Sequence, residues 1–123
     1  MELKTVLKKV TFLYTVLIII ISTIPIPQLP FPKFELFQFD KFLHLIVYLI
    51  MSVMWLILGF LEIKKIKWSY LALVFFIGLI TEICQGILPI GRYFEIADII
   101  ANSLGILIGF SISSLYILKN KQL

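Results

Sequence analysis

Long apolar runs separated by short polar segments are the dominant pattern of this chain. Apart from Glu82, no Asp, Glu, Lys or Arg occurs within 10–32, 42–61, 68–91 or 99–118. Each run provides the ~20 helical residues that cross a ~30 Å hydrocarbon core, and none shows the alternation of a transmembrane strand. The pattern predicts an all-α fold, an integral membrane four-helix bundle in a single domain over 1–123. We place its helices near 6–24, 41–61, 69–88 and 97–118.

The composition agrees with a membrane protein. Hydrophobic residues make up 61% of the 123 residues, against roughly 45–50% in a soluble domain. A soluble protein of this size could not bury so much apolar surface, because small domains bury the smallest fraction of their chain. The net charge of +4 does not indicate nucleic-acid binding, since the basic residues lie in short clusters beside the apolar runs.

The distribution of Lys and Arg predicts the orientation of the helices. Eight lysines lie before helix one, between helices two and three, or after helix four, whereas the opposite side has Lys33, Lys41 and Arg92. Basic residues are more frequent on the cytoplasmic side of membrane proteins. We therefore expect both termini in the cytoplasm, and the loops 25–40 and 89–97 outside.

Polar and ionisable residues gather toward the side that is expected to face outward. Asp40, His44 and Tyr48 recur every four residues at the start of helix two, so they form one stripe, and Lys41 lies beside them. The others, in chain order, are Glu82, Gln85, Arg92, Glu95, Asp98 and Asn102. A charge at the bilayer centre costs ~2.5–3.5 kcal/mol, so we expect Glu82 to face the bundle interior and meet a partner. The available donors are His44, Lys41 and Arg92.

A purely structural interpretation of the same residues stays open. Lys41 and Glu95 could simply be solvated at the membrane surface. Asp40 and Asp98 could cap a helix or occupy its first turn, because carboxylates favour helix N-termini. His44 could be a hydrogen-bonded packing residue. The structural interpretation fits Glu82 least well, because an unpaired carboxylate at its depth in the membrane has a high free-energy cost.

Helix four carries a ridge of small residues, Ala101, Gly105, Gly109 and Ser113, spaced four apart. Such a ridge lets another helix approach closely. We expect it to pack against helix three and to hold Glu82 near Asn102. A contact between copies of the chain, forming a homo-oligomer, is the alternative.

No established metal or catalytic signature accompanies these residues. His44 with Asp40, Glu82 and Asp98 could supply four ligands, but their spacing does not resemble a zinc signature. The chain has neither a nucleophile elbow nor a Gly-rich phosphate loop. The sequence therefore predicts no metal and no cofactor.

Three segments resemble, in order, the motifs of the VanZ-like family. Asp40 to Tyr48 resembles its D-K-x-x-H-x-x-x-Y opening, Glu82 to Gln85 its E-x-x-Q step, and Asp98 to Gly109 its D-x-x-x-N-x-x-G-x-x-x-G ending. The resemblance spans about 10–118. It implies a small multi-pass protein of the bacterial cell membrane. The namesake of the family is associated with low-level resistance to the glycopeptide teicoplanin, so a role in the cell envelope is implied as well.

Three functions follow as hypotheses, and the sequence leaves open whether the protein is an enzyme. The first is a non-enzymatic membrane protein that alters the outer surface and reduces glycopeptide action. The second is an intramembrane enzyme that acts on a lipid-linked or cell-wall precursor. The third is a small lipid carrier or flippase that uses protonation of Glu82. The expected partners are membrane lipid and, for the first two, a glycopeptide or a lipid-linked cell-wall precursor.

The enzyme hypothesis assigns roles to individual residues. His44 would be the general base, because the pKa of histidine lies near neutrality. Asp40 and Glu82 would orient it or polarise water, and Arg92 would bind phosphate. Further substrate contacts would come from the remaining polar side chains, Lys41, Tyr48, Gln85, Asp98 and Asn102.

Overall fold

The computed structural model describes residues 2–24, 33–89 and 93–121, with side chains from Phe39 onward in the second range. These residues form four α-helices: α1 Leu3–Thr23, α2 Lys33–Ile63, α3 Trp68–Ile87 and α4 Ile96–Asn120. All four are long and apolar enough to cross a membrane. The prediction of an all-α bundle of membrane-spanning helices is confirmed, and the direction in which it crosses the bilayer stays a prediction.

Helix α2 begins eight residues before its predicted start. Its 31 residues extend ~46 Å at ~1.5 Å per residue, which exceeds a ~30 Å hydrocarbon core. The apolar span within it begins at Phe39, so the first turns extend beyond that span. Asp40 therefore lies well inside the helix, and the interpretation of this residue as a helix cap is wrong.

The helices are arranged so that α2 and α4 run side by side in the same direction. Lys41 near the start of α2 pairs with Asp98 in the first turn of α4. Near the other end, the rings of Phe60 and Tyr116 pack edge to face with centroids 6.4 Å apart. We call the end where α2 and α4 begin, and where α1 and α3 finish, the cluster end.

The small-residue ridge of α4 packs on α2, whereas α3 was the expected partner. A methyl group at Gly105 would collide with the Leu45 carbonyl oxygen. One at Gly109 would lie 2.7 Å from the Leu49 carbonyl oxygen and would also collide with the Ser52 hydroxyl. The α2 backbone thus lies in the space that a side chain at Gly105 or Gly109 would need. Only glycine, which has no side chain, leaves that space to α2.

A buried apolar core fills the bundle beyond this contact, and hydrogen bonds attach α1 to it. Met51 and Val74 are completely buried. The Trp55 indole N–H donates to the Thr15 hydroxyl at 3.0 Å, and the Tyr14 hydroxyl donates to the Val47 carbonyl at 2.8 Å. These hydrogen bonds fix α1 on α2, although most apolar side chains of α1 are exposed, as lipid-facing side chains are.

We expect Gly105→Ala to lower the free energy of unfolding by about 1–3 kcal/mol, because the added methyl group forces α2 and α4 apart. Ser111→Val is the control, since it adds more volume to the same helix at an exposed position. Reversible unfolding in lipid–detergent mixtures measures both. Equal stability of the two variants would contradict the close contact between α2 and α4.

Candidate functional site

Seven polar side chains meet at the cluster end of the bundle. They come from α2, α3, α4 and the residue before α4. They are Asp40, Lys41, His44, Glu82, Glu95, Asp98 and Asn102, called the polar cluster below. Residues as far apart in the sequence as His44 and Asn102, which are 58 positions apart and in contact, are thereby brought into one site at the edge of the apolar spans.

Lys41 connects the start of α2 to the start of α4. Its ammonium group contacts the carboxylates of Glu95 and Asp98 and lies 3.5 Å from Asp40 Oδ2. The Lys41 side chain is 16% exposed and that of Asp98 is 5% exposed. Because water screens such a pair poorly, this ion-pair network holds the two helices together at the cluster end.

The imidazole of His44 has its two nitrogens in different environments. Nδ1 lies 2.9 Å from Asn102 Oδ1, and a carbonyl oxygen only accepts hydrogen bonds, so Nδ1 carries the proton and donates. Nε2 lies 3.6 Å from Asp40 Oδ1 and 3.9 Å from Asp98 Oδ2. Both separations are too long for a hydrogen bond. Asn102 thus orients the ring so that Nε2 faces two carboxylates.

Glu82 is 1% exposed and faces the bundle interior, as its cost in a membrane requires. Its Oε1 accepts a hydrogen bond of 2.9 Å from the Glu95 backbone N–H. Its carboxyl group also interacts with Asp98 and His44. The Glu95 backbone amide thus joins the end of α3 to the start of α4, and a hydrogen bond between the Glu82 and Asp98 side chains adds to this link.

Two further residues from the sequence analysis are engaged elsewhere in the bundle. The Tyr48 hydroxyl is within 3.0 Å of the Thr81 hydroxyl, and Gln85 Nε2 donates to the Ser22 carbonyl at 3.1 Å. These contacts join α2 to α3 and α3 to α1, and a substrate-binding role for either residue stays a prediction. Arg92, the predicted phosphate ligand, lies outside the described residues.

Glu95 makes more contacts in the site than the sequence predicts. It was expected to be a solvated surface charge, yet its carboxylate pairs with Lys41 and its backbone N–H binds Glu82. A signal was present in the sequence. Glu95 precedes Asp98 by three residues at the start of helix four, a spacing that places both carboxylates on one side.

The two ends of the bundle differ in charge balance. At the end opposite the cluster, Lys67 donates to Glu62 at 2.7 Å and the Tyr70 hydroxyl donates to the same carboxylate at 2.8 Å. The hydrogen bond to Glu62 raises the pKa of Lys67. In the polar cluster, by contrast, the described residues supply four carboxylates and one ammonium group, and that ammonium group contacts three of the carboxylates.

The described residues of the polar cluster carry excess negative charge, and this charge determines what they can bind. It favours a proton or another cation over an anion. One nitrogen or oxygen from each of Asp40, His44 and Asp98 lies within 4.8 Å of the others, so these three residues could hold a cation together.

The family model for VanZ/LLP1 matches residues 4–118 of the chain. The chain belongs to the VanZ/LLP1 family. The match covers all four described helices almost completely, so the polar cluster lies entirely within the family's domain. No curated protein and no solved structure matches the chain.

We expect Lys41→Met to lower the free energy of unfolding by on the order of 3 kcal/mol, because it leaves the buried Asp98 carboxylate without its cation. Lys67→Met is the matched control: it also keeps the aliphatic stem and removes an ion pair, but the Lys67 and Glu62 side chains are half-buried, and more exposed pairs contribute less. Unfolding in lipid–detergent mixtures compares them. If both variants lose the same stability, the Lys41 network does not hold the bundle together.

Proposed function

We propose that this protein acts at the outer face of the bacterial cell membrane and lowers the susceptibility of the cell to teicoplanin, with the polar cluster as its working part. Membership of the VanZ/LLP1 family supports the cellular role, since the family's namesake is associated with low-level teicoplanin resistance. The observation that carries the proposal is the convergence of ionisable groups from α2, α3 and α4 at one end of the bundle. Ionisable groups within membrane-spanning helices are costly unless they are paired, and they are often functional.

The outward position of the cluster is part of the proposal. Lysines concentrate at the opposite end of the bundle, in the segment 64–67 and near the end of α4. The positive-inside tendency then puts that end and both termini in the cytoplasm. The polar cluster would face the side from which a glycopeptide reaches the cell.

A second candidate, an intramembrane enzyme acting on a lipid-linked precursor, rests on the geometry of His44. The hydrogen bond to Asn102 fixes the orientation of the ring, with Nε2 directed toward two carboxylates. An imidazole held in one tautomer by a hydrogen bond is the usual arrangement of a general base. The three carboxylates around Lys41 disfavour phosphate binding by that residue alone, so an anionic precursor would need a further cationic group.

We expect a cysteine at Tyr93 to react with a membrane-impermeant thiol reagent in intact cells, and a cysteine at Lys65 to react only after the membrane is opened. Both positions are exposed at opposite ends of the bundle. The background is Cys84→Ser, which removes the chain's only cysteine. The reverse labelling pattern would contradict the proposed orientation.

For the function itself, a strain lacking the gene is complemented with wild type, His44→Ala, Glu82→Gln or the control Glu62→Gln. Glu62 is a paired carboxylate at the other end of the bundle, so its substitution tests for unspecific loss of charge. We expect wild type and Glu62→Gln to raise the inhibitory concentration of teicoplanin, and the two cluster variants to leave it at the level of the null strain. Protein levels in the membrane fraction confirm insertion, and lipid profiles are compared in parallel.

The outcomes separate the candidates. If wild type does not change teicoplanin susceptibility, the proposed cellular role is wrong. If the cluster variants protect as well as wild type does, the cluster is not the working part. A lipid species that accumulates with His44→Ala supports the enzyme, whereas lost protection with unchanged lipid profiles supports a non-enzymatic role.

A further inference from the structure

We propose that Asp40, His44 and Asp98 form a binding site for one divalent transition-metal ion, Zn²⁺ in the first place. The site would have two carboxylate oxygens and one imidazole nitrogen as protein ligands. Catalytic zinc sites commonly have three protein ligands and one open position. The spacing in the sequence did not indicate this site, because α4 contributes Asp98 from a distant part of the chain.

The ligand atoms have separations that suit a metal ion better than a hydrogen bond. His44 Nε2 is 3.6 Å from Asp40 Oδ1 and 3.9 Å from Asp98 Oδ2, and the three ligand atoms lie within 4.8 Å of one another. Ligands at a tetrahedral ion with bonds of ~2.1 Å are roughly 3.3–3.6 Å apart. Small side-chain movements would therefore complete the coordination.

Each aspartate has one oxygen directed to Lys41 and the other to His44. Lys41 contacts Asp40 Oδ2 and Asp98 Oδ1, whereas Nε2 faces Asp40 Oδ1 and Asp98 Oδ2. A metal ion bound by the second oxygens would leave the Lys41 ion pairs in place. The ammonium group and the metal ion would thus share the two carboxylates without competing for the same atoms.

The hydrogen bond between His44 and Asn102 orients the imidazole toward the proposed ion. It holds the ring so that Nε2 faces two carboxylate oxygens. A nitrogen facing two carboxylate oxygens requires a cation between them, either a proton on Nε2 or a metal ion. Histidines that bind metals usually donate their other ring N–H to an oxygen in the same way.

The charges near the site also fit a divalent ion. Among the described residues, the Lys41 ammonium contacts three carboxylates, those of Asp40, Glu95 and Asp98. One divalent cation would balance the two excess negative charges of these four groups. The Asp40 side chain is 45% exposed, so the site is open to ions from the aqueous phase.

The imidazole ligand selects among divalent ions. Mg²⁺ and Ca²⁺ prefer oxygen ligands, whereas imidazole suits zinc and its neighbours. Zn²⁺ should bind more tightly than Mn²⁺, as for most mixed nitrogen and oxygen sites. The inference concerns the same cluster as the proposed function, but binding is measured on the isolated protein, so a negative result leaves the susceptibility experiment unaffected.

The test uses the full chain carrying Cys84→Ser, purified in detergent, stripped with a chelator and dialysed against Zn²⁺. We expect one bound Zn²⁺ per chain and, with Co²⁺ in its place, visible absorption of a site with nitrogen and oxygen ligands. Asn102→Leu should weaken Zn²⁺ binding by ~10–100-fold, because it removes the group that orients His44. His44→Gln should weaken it further, and Glu62→Gln should leave it unchanged.

Three results would contradict the site. The first is the absence of stoichiometric Zn²⁺ or Mn²⁺ binding by the chain with His44, Asp40 and Asp98 intact, a result that does not depend on whether the variants fold. The second is binding that His44→Gln and Asn102→Leu leave unchanged while both variants keep their helix content and remain monodisperse. Loss of binding in Glu62→Gln as well would place the metal elsewhere and would also count against the site.

Discussion

The cluster end of the bundle depends on one ammonium group that pairs with carboxylates from separate parts of the chain. Charges within membrane-spanning helices are expensive unless they are paired, and Lys41 contacts acidic groups on α2, at the start of α4 and in the segment before α4. Glu82 extends the network to α3 through the Glu95 backbone. Three helices are thus connected at the cluster end by polar contacts, whereas apolar packing holds them together over the rest of their length.

The close approach of α2 and α4 is what makes this network possible. Gly105 and Gly109 let the two backbones come nearly into contact, and Asn102 and Asp98 lie one and two turns before Gly105 on the same side of α4. The side chains of Lys41 and His44 therefore reach α4 directly. The close helix packing and the candidate site share the interface between α2 and α4, because the small-residue ridge and the ionisable groups both lie along it.

Much of the fold could be predicted from the sequence, because uncharged runs of this length have few alternatives to membrane-spanning helices. The start of α2 at Lys33 could not be predicted, because the segment before the apolar run has no clear periodicity and because several prolines precede this segment. The ridge on α4 was found, but a ridge of small residues does not identify the helix that packs on it. The polar residues were also found, whereas the role of Glu95 depends on a backbone hydrogen bond that side-chain patterns do not contain.

The distance along the chain between Lys41 and its partners has a consequence for biosynthesis. Lys41 is translated 54 residues before Glu95 and 57 before Asp98, and chains are made and inserted from the N-terminus. When α2 first enters the membrane, its neighbour Asp40 is present but α4 is not. The first two helices must therefore be stable in the membrane before the site is complete. Insertion of α4 then supplies the remaining carboxylate partners of Lys41.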